Sequence, residues 1–233
     1  MSALAIKFAG TKKLAARVTR GGASLIDHVL PHSILENEYA NRQRVADFVS
    51  CSLDFTVANQ LRGDAIADYE GIVVVCATTA ARWRNWPLTN VLQLTGRFPK
   101  TRFLLVGLRR EILPEEAADL AAILQLPNVR DGLDRFSVSE LARIIARAGA
   151  VVSTDTSTAH IANFFHTPGV VLFGPGSPLT LAAPAGLKTF HDANCPYHPC
   201  VQWKCRNQAN WCMRKITPEA VGDYLAALPA FAA

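Results

Sequence analysis

The sequence predicts an α/β protein on a doubly wound parallel sheet, and three observations predict it. From Gly71 onward, short β-branched runs alternate with longer amphipathic stretches, the pattern of β-α repeats around a parallel sheet. Several of the amphipathic stretches open with helix-start signals. Half of the 233 residues are hydrophobic and only 18% are charged, so the chain can bury at least one full core.

Along the chain, residues 1–70 read as a short strand at 3–8, a glycine-rich turn at Gly21-Gly22 and a polar helix over 38–49. They bury too little apolar surface to stand as an independent domain. A boundary is expected between Asp68 and Gly71, leaving 71–233 as the main domain. There, strands are expected at 72–75, 102–106, 150–153 and 169–173, with helices over 88–97, 115–126, 139–148 and 158–165. Pro114 suits a first-turn position, Ser137 stands three residues before Glu140 as in a capping box, and Thr217-Pro218-Glu219 opens a last helix. In such a sheet the connections are right-handed and ligands sit beyond the carboxyl ends of the strands.

Composition narrows the function. The amino terminus has no long apolar core followed by a small-residue cleavage site, so secretion is not supported. Nowhere do about 18 apolar residues run unbroken, so membrane contact is expected to be peripheral. The net charge of +5 suits anionic partners such as phosphate esters or acidic lipid, but it forms no dense Lys/Arg run, which argues against nucleic acid.

Four strand ends carry ligand-competent groups. In GAVVSTDTSTAHIANFF a strand ends at Thr154 and a helix begins within a few residues. Thr156 or Ser157 would cap it, and its free amides and positive dipole end suit a diphosphate. His160, on the first turn, reaches the same anion, and Asp155 can accept hydrogen bonds from sugar hydroxyls. After the 102–106 strand, Gly107 allows close backbone approach and Glu111 can bind the paired hydroxyls of a ribose. In CATTAARWRNWP, Arg84 can reach a phosphate, while Trp83 and Trp86 either anchor the core or wall a pocket. The loop LFGPGSP closes the fourth strand. Each of these groups also has an ordinary structural reading: Asp155 and Thr156 as helix caps, His160 packed under a loop, Glu111 as a first-turn charge.

Cys195, Cys200, Cys205 and Cys212 form C-x4-C-x4-C-x6-C. Four sulfurs at this spacing suit a structural tetrahedral Zn or Fe site, with His198 able to replace one of them. Reduced thiols in a loop, or one disulfide pair, are the alternatives. Cys51 and Cys76 read as small core residues.

These motifs carry a family resemblance. TDTSTAHIANFFHTPGVVLFGPGSP, ARWRNWP and VGLRRE, with CPYHPC, WKC and WCMRKI near the end, resemble glycosyltransferase family 9, the ADP-heptose:lipopolysaccharide heptosyltransferase-like proteins, over residues 71–228. The resemblance implies a GT-B arrangement of two Rossmann-like domains. Residues 71–233 would be the nucleotide-sugar-binding one, with a Cys-rich loop at 195–212, and 1–70 the truncated tail of the acceptor-side one.

It also implies an ADP-sugar donor, a lipopolysaccharide-type or other glycan acceptor, transfer with inversion and no required cofactor. The expected location is cytoplasmic, peripheral at the inner face of the membrane. By the same resemblance Asp155 contacts the sugar, Thr156, Ser157 and His160 hold the diphosphate, Glu111 holds the ribose, and Arg84 lies near the phosphates. Arg84 stands where the family has lysine, and Ser157 where it has glycine. The family's general base is a carboxylate near the start of its amino-terminal domain, and no residue here is assigned to it. A non-catalytic nucleotide-sugar-binding or assembly protein, acting with a partner chain or as a homo-oligomer, is therefore the alternative function.

Overall fold

A computed structural model describes residues 67–175, 186–192, 194–197 and 211–231, with 15–17, 28–30 and positions 36, 40, 44, 178, 205 and 207. The chain divides into two compact units, Met1–Asp54 with Leu179–Pro184, and Phe55–Pro178 with Ala185–Ala233. In the first unit, β1 (Ala15–Arg17) pairs in parallel with β2 (His28–Leu30), Ala15 facing His28. Ala40 and Arg44 are helical, as expected within 38–49, and Arg44 pairs with Glu36 at 2.6 Å. The strand expected at 3–8 and the Gly21-Gly22 turn lie outside the described residues.

The second unit is the doubly wound sheet. In chain order it runs β3 (Val73–Cys76), α1 (Leu88–Arg97), β4 (Phe103–Leu105), α2 (Ala117–Gln125), β5 (Val129–Asp131), α3 (Val138–Arg147), β6 (Ala150–Thr154), α4 (Ser157–Phe165), β7 (Gly169–Phe173), β8 (Lys188–His191), α5 (Trp211–Lys215) and α6 (Pro218–Leu225). Six parallel strands lie in the order β5-β4-β3-β6-β7-β8. Counted from β3, that is the 3-2-1-4-5-6 order of a Rossmann sheet, whose strand order reverses between β3 and β6.

Alternation along the strands makes two cores. Val73, Val75, Phe103, Leu105, Val152 and Leu172 face one side with Val91 and Leu94 of α1, Ile123 of α2 and Val221 of α6. Ile72, Val74, Leu104, Val106 and Val151 face the other, with Ile144 and Ile145 of α3 and Ala162 of α4. Each such side chain, fully buried, contributes roughly 1.5–3 kcal/mol by leaving water. Cys76 sits in the second core, as expected of a small apolar residue.

The helix starts follow the sequence signals. Ser137 and Glu140 form the reciprocal capping box of α3, and the Thr217 hydroxyl accepts from Ala220 N at the start of α6. Pro114 opens a single 3₁₀ turn, Pro114–Glu116, ahead of α2. The Glu116 carboxylate accepts from Leu88 N at 3.0 Å and so caps the preceding helix, α1. Two strands, β5 and β8, are absent from the sequence expectation. Both lie at the sheet's edges, where one face or both stay half-open and no continuous apolar run is needed.

Candidate functional site

The strand order reverses between β3 and β6, whose following helices pack on opposite faces of the sheet, and it is at the carboxyl ends of such strands that doubly wound sheets bind ligands. The candidates come from the connections after β3, β4 and β6.

After β6, Asp155 and Thr156 turn the chain into α4. Thr156 occupies the N-cap position with extended backbone, φ −141° and ψ 178°, yet its hydroxyl makes no capping bond. This corrects the expectation that a hydroxyl there caps the helix. Thr156 Oγ1 instead lies 3.1 Å from Ser153 Oγ and 3.3 Å from Thr154 O, held back against the strand. The first-turn amides of α4 have no intrahelical acceptors, and the helix dipole adds to their pull on an anion. Ser157 is exposed at the first helical position.

Asp155 is flanked by Arg84 and His160. Arg84 Nη1 donates to the Asp155 carbonyl at 3.0 Å and lies 3.6 Å from its carboxylate, and His160 Nε2 lies 3.9 Å from the other carboxylate oxygen. The Asp155 side chain is 13% exposed and that of His160 43%, so the carboxylate is sheltered while the imidazole faces solvent. Arg84 Nε is buried without a hydrogen-bond partner among the described residues. Both Arg84 contacts to Asp155 are made through the one terminal nitrogen, Nη1.

The turn after β3 holds Arg84 in place. Trp86 is fully buried, its backbone N–H donates to Ala77 O and its indole N–H to Ile216 O, both at 2.8 Å. It is thus a core anchor, while Trp83 is half-buried. Thr79 Oγ1 accepts from Ala81 N at 2.9 Å and shapes the turn. Asn85 joins it to the next loop, accepting from Thr79 N at 2.8 Å and donating to Glu111 O at 3.0 Å.

On the β4 loop, Gly107 has φ +133°, a conformation that favours glycine, and a Cβ there would stand 3.1 Å from Thr78 Oγ1. Thr78 is 4% exposed and its hydroxyl has no partner among the described residues. Glu111 ends a 3₁₀ turn, Arg109–Glu111. Burial raises its carboxyl pKa above the ordinary value, Asp134 adds to the rise, and Arg110 and Arg84 oppose it. Burial likewise raises the Cys76 thiol despite nearby hydroxyls of Thr158, Thr156 and Ser153, so it stays protonated and unreactive.

Arg84, Asp155, Thr156 and His160 therefore form one cluster, and Asn85 ties it to Glu111. Thr78, Thr79 and Asn85 were missed from sequence, although a hydroxyl pair two residues beyond a strand end was a usable signal. Of the cysteine cluster, Cys195, Cys205 and Cys212 are described. Cys195 and Cys205 are half-buried, Cys205 Sγ donates to Asn207 O at 2.7 Å, and Cys212 is buried in the core. Among the described residues no group of three or more His, Cys, Asp or Glu could hold a metal. Cys200 and His198 lie outside the described residues, as does Cys51.

The strand order defines a Rossmann-type doubly wound sheet. The sequence profile of glycosyltransferase family 9 (heptosyltransferase) matches residues 41–210, and the chain belongs to that family. It is 29% identical over 128 residues to lipopolysaccharide heptosyltransferase 1 of Salmonella typhimurium, covering 54% of this chain and 39% of that protein. The Pseudomonas aeruginosa counterpart is 28% identical over 128 residues, 49% of this chain and 35% of that one. The chain thus matches little more than a third of these curated relatives' length.

Among solved structures, E. coli heptosyltransferase WaaC with ADP superposes at a TM-score of 0.64 and 19% identity, over 87% of this chain and 60% of that one. E. coli ADP-heptose LPS heptosyltransferase II gives 0.62 and 17%, over 97% and 72%. These likenesses show a Rossmann-like sheet of the kind that forms one half of a GT-B fold. Among the described residues no helix is long and apolar enough to cross a membrane.

Proposed function

We propose that residues 71–233 are the donor-binding half of a heptosyltransferase of lipopolysaccharide biosynthesis, which takes an ADP-activated heptose or related sugar and transfers it, with inversion, to a glycan or lipid-linked acceptor. The observation that carries the reading is the convergence of Arg84, Asp155 and His160 around the start of α4 at the strand-order reversal. Family membership and the ADP named with the WaaC structure support it.

In this reading the diphosphate lies on the amides of Thr156 and Ser157, with Arg84 and His160 beside it, Asp155 accepts from sugar hydroxyls, and Glu111 grips the ribose next to Gly107. The acceptor oxygen attacks the anomeric carbon as its bond to the diphosphate oxygen breaks, and charge builds on the departing ADP. The Arg84 guanidinium and helix amides already in place offset that charge, with His160 beside them, without a metal ion. The acceptor's proton goes to a base not assigned within 71–233. Transfer is placed at the cytoplasmic face, where the chain meets the membrane only peripherally.

The test is a thermal melt of the full chain with millimolar ADP and ADP-heptose. Both raise the midpoint, EDTA leaves the shift intact, and His160→Ala or Asp155→Ala removes the shift given by the ADP-sugar. No shift with any nucleotide would overturn the reading.

A further inference from the structure

Asn85 is 2% exposed, and both ends of its amide are engaged. Oδ1 accepts from Thr79 N at 2.8 Å on the loop after β3, and Nδ2 donates to Glu111 O at 3.0 Å on the loop after β4. An acceptor and a donor on one short planar fork are what asparagine supplies, since aspartate lacks the donor and leucine lacks both.

Its neighbours are equally fixed. Arg84 reaches across to the Asp155 carbonyl, and Trp86 is held by Ala77 O and Ile216 O. At the far end, Glu111 N donates to Leu108 O at 2.9 Å. Arg84 and Glu111 are thus two ends of one braced unit with Asn85 as the brace.

We propose that Asn85 is a positioning residue that sets the distance between the diphosphate-side guanidinium of Arg84 and the ribose-side carboxylate of Glu111, so that the two grip one nucleoside diphosphate together. This rests on the roles given above to Arg84 and Glu111. A brace matters most for a ligand that spans both ends, because misplacing one grip by a fraction of a hydrogen-bond length forfeits what the other has oriented. An asparagine that merely stabilised the fold would lower the melting point and leave Glu111's share of the binding unchanged.

A double-mutant cycle separates these roles. ADP dissociation constants are measured for the full chain, Asn85→Asp, Glu111→Ala and the double variant. Asn85→Asp keeps the acceptor for Thr79 N and turns a carboxylate oxygen toward Glu111 O. Each single substitution weakens ADP by about tenfold, and the double variant is no worse than the weaker single one, because each removes the same grip. Multiplying losses, or an Asn85→Asp chain that binds ADP normally, overturn the proposal. If Asn85→Asp does not fold, Asn85→Ala runs the same cycle, and failure of both to fold makes the residue structural and overturns it. An unmodified chain that ignores ADP overturns the donor-site reading as well, whereas ADP binding with a multiplicative cycle overturns this inference alone.

Discussion

The centre and the edge of the six-stranded sheet are built differently. At the centre, β3 and β6 are buried throughout, and the turns they feed carry Arg84, Asp155 and Thr156. At the edge, β5 has an exposed Arg130, and its end is tied by ions: Arg109 pairs with Asp131 and lies 3.9 Å from Asp134. Central strands hold loops by packing from both faces, which fixes them closely enough to place a binding group. Edge loops hold themselves by solvent-exposed charge pairs, which fix them loosely.

That contrast orders the expected effects of substitution. Trp86→Ala empties a fully buried site beneath the central turn and should cost about 3–5 kcal/mol in denaturant unfolding. A loss under about 1 kcal/mol would mean that the turn is not held by packing.

Glu111→Gln lies between centre and edge and should act in two directions. Its folded-state pKa is raised, chiefly by burial. The folded state therefore holds the proton more tightly than the unfolded one, and stability falls as pH rises from the ordinary carboxylate value through the raised one. The substitution should raise the melting point at neutral pH, with the gain vanishing in acid below the ordinary glutamate range, while costing about 0.5–1.4 kcal/mol of ADP affinity, no more than the tenfold loss expected for Glu111→Ala. Melts across pH with parallel titrations check both halves.

Arg109→Ala should do least: under about 1 kcal/mol of stability, shrinking in high salt, with ADP affinity unchanged.

The same contrast explains what was legible in the sequence. Valine-rich runs bounded by turn residues marked β3, β6 and β7 to within a residue or so, because strands buried on both faces must be apolar. Val129–Asp131 and Lys188–His191 carried no such run, since an edge strand needs only backbone pairing. In the site, Asp155, His160 and Glu111 were legible as chemistry-bearing types beside strand ends. Asn85 was not, because a buried bridging amide looks like any loop asparagine until the two loops it joins are in place. Thr156 was legible as a hydroxyl at a helix start, but not as one drawn back to Ser153 and Thr154.

The central claim is that an ADP diphosphate sits on the first turn of α4. A crystal structure of the full chain soaked with ADP tests it directly. The account predicts both phosphates within hydrogen-bonding distance of the Thr156–Ser157 amides, with Arg84 and His160 alongside and the ribose at Glu111. ADP bound elsewhere on the sheet, or phosphates on Arg109 and Arg110 with the start of α4 untouched, would contradict it.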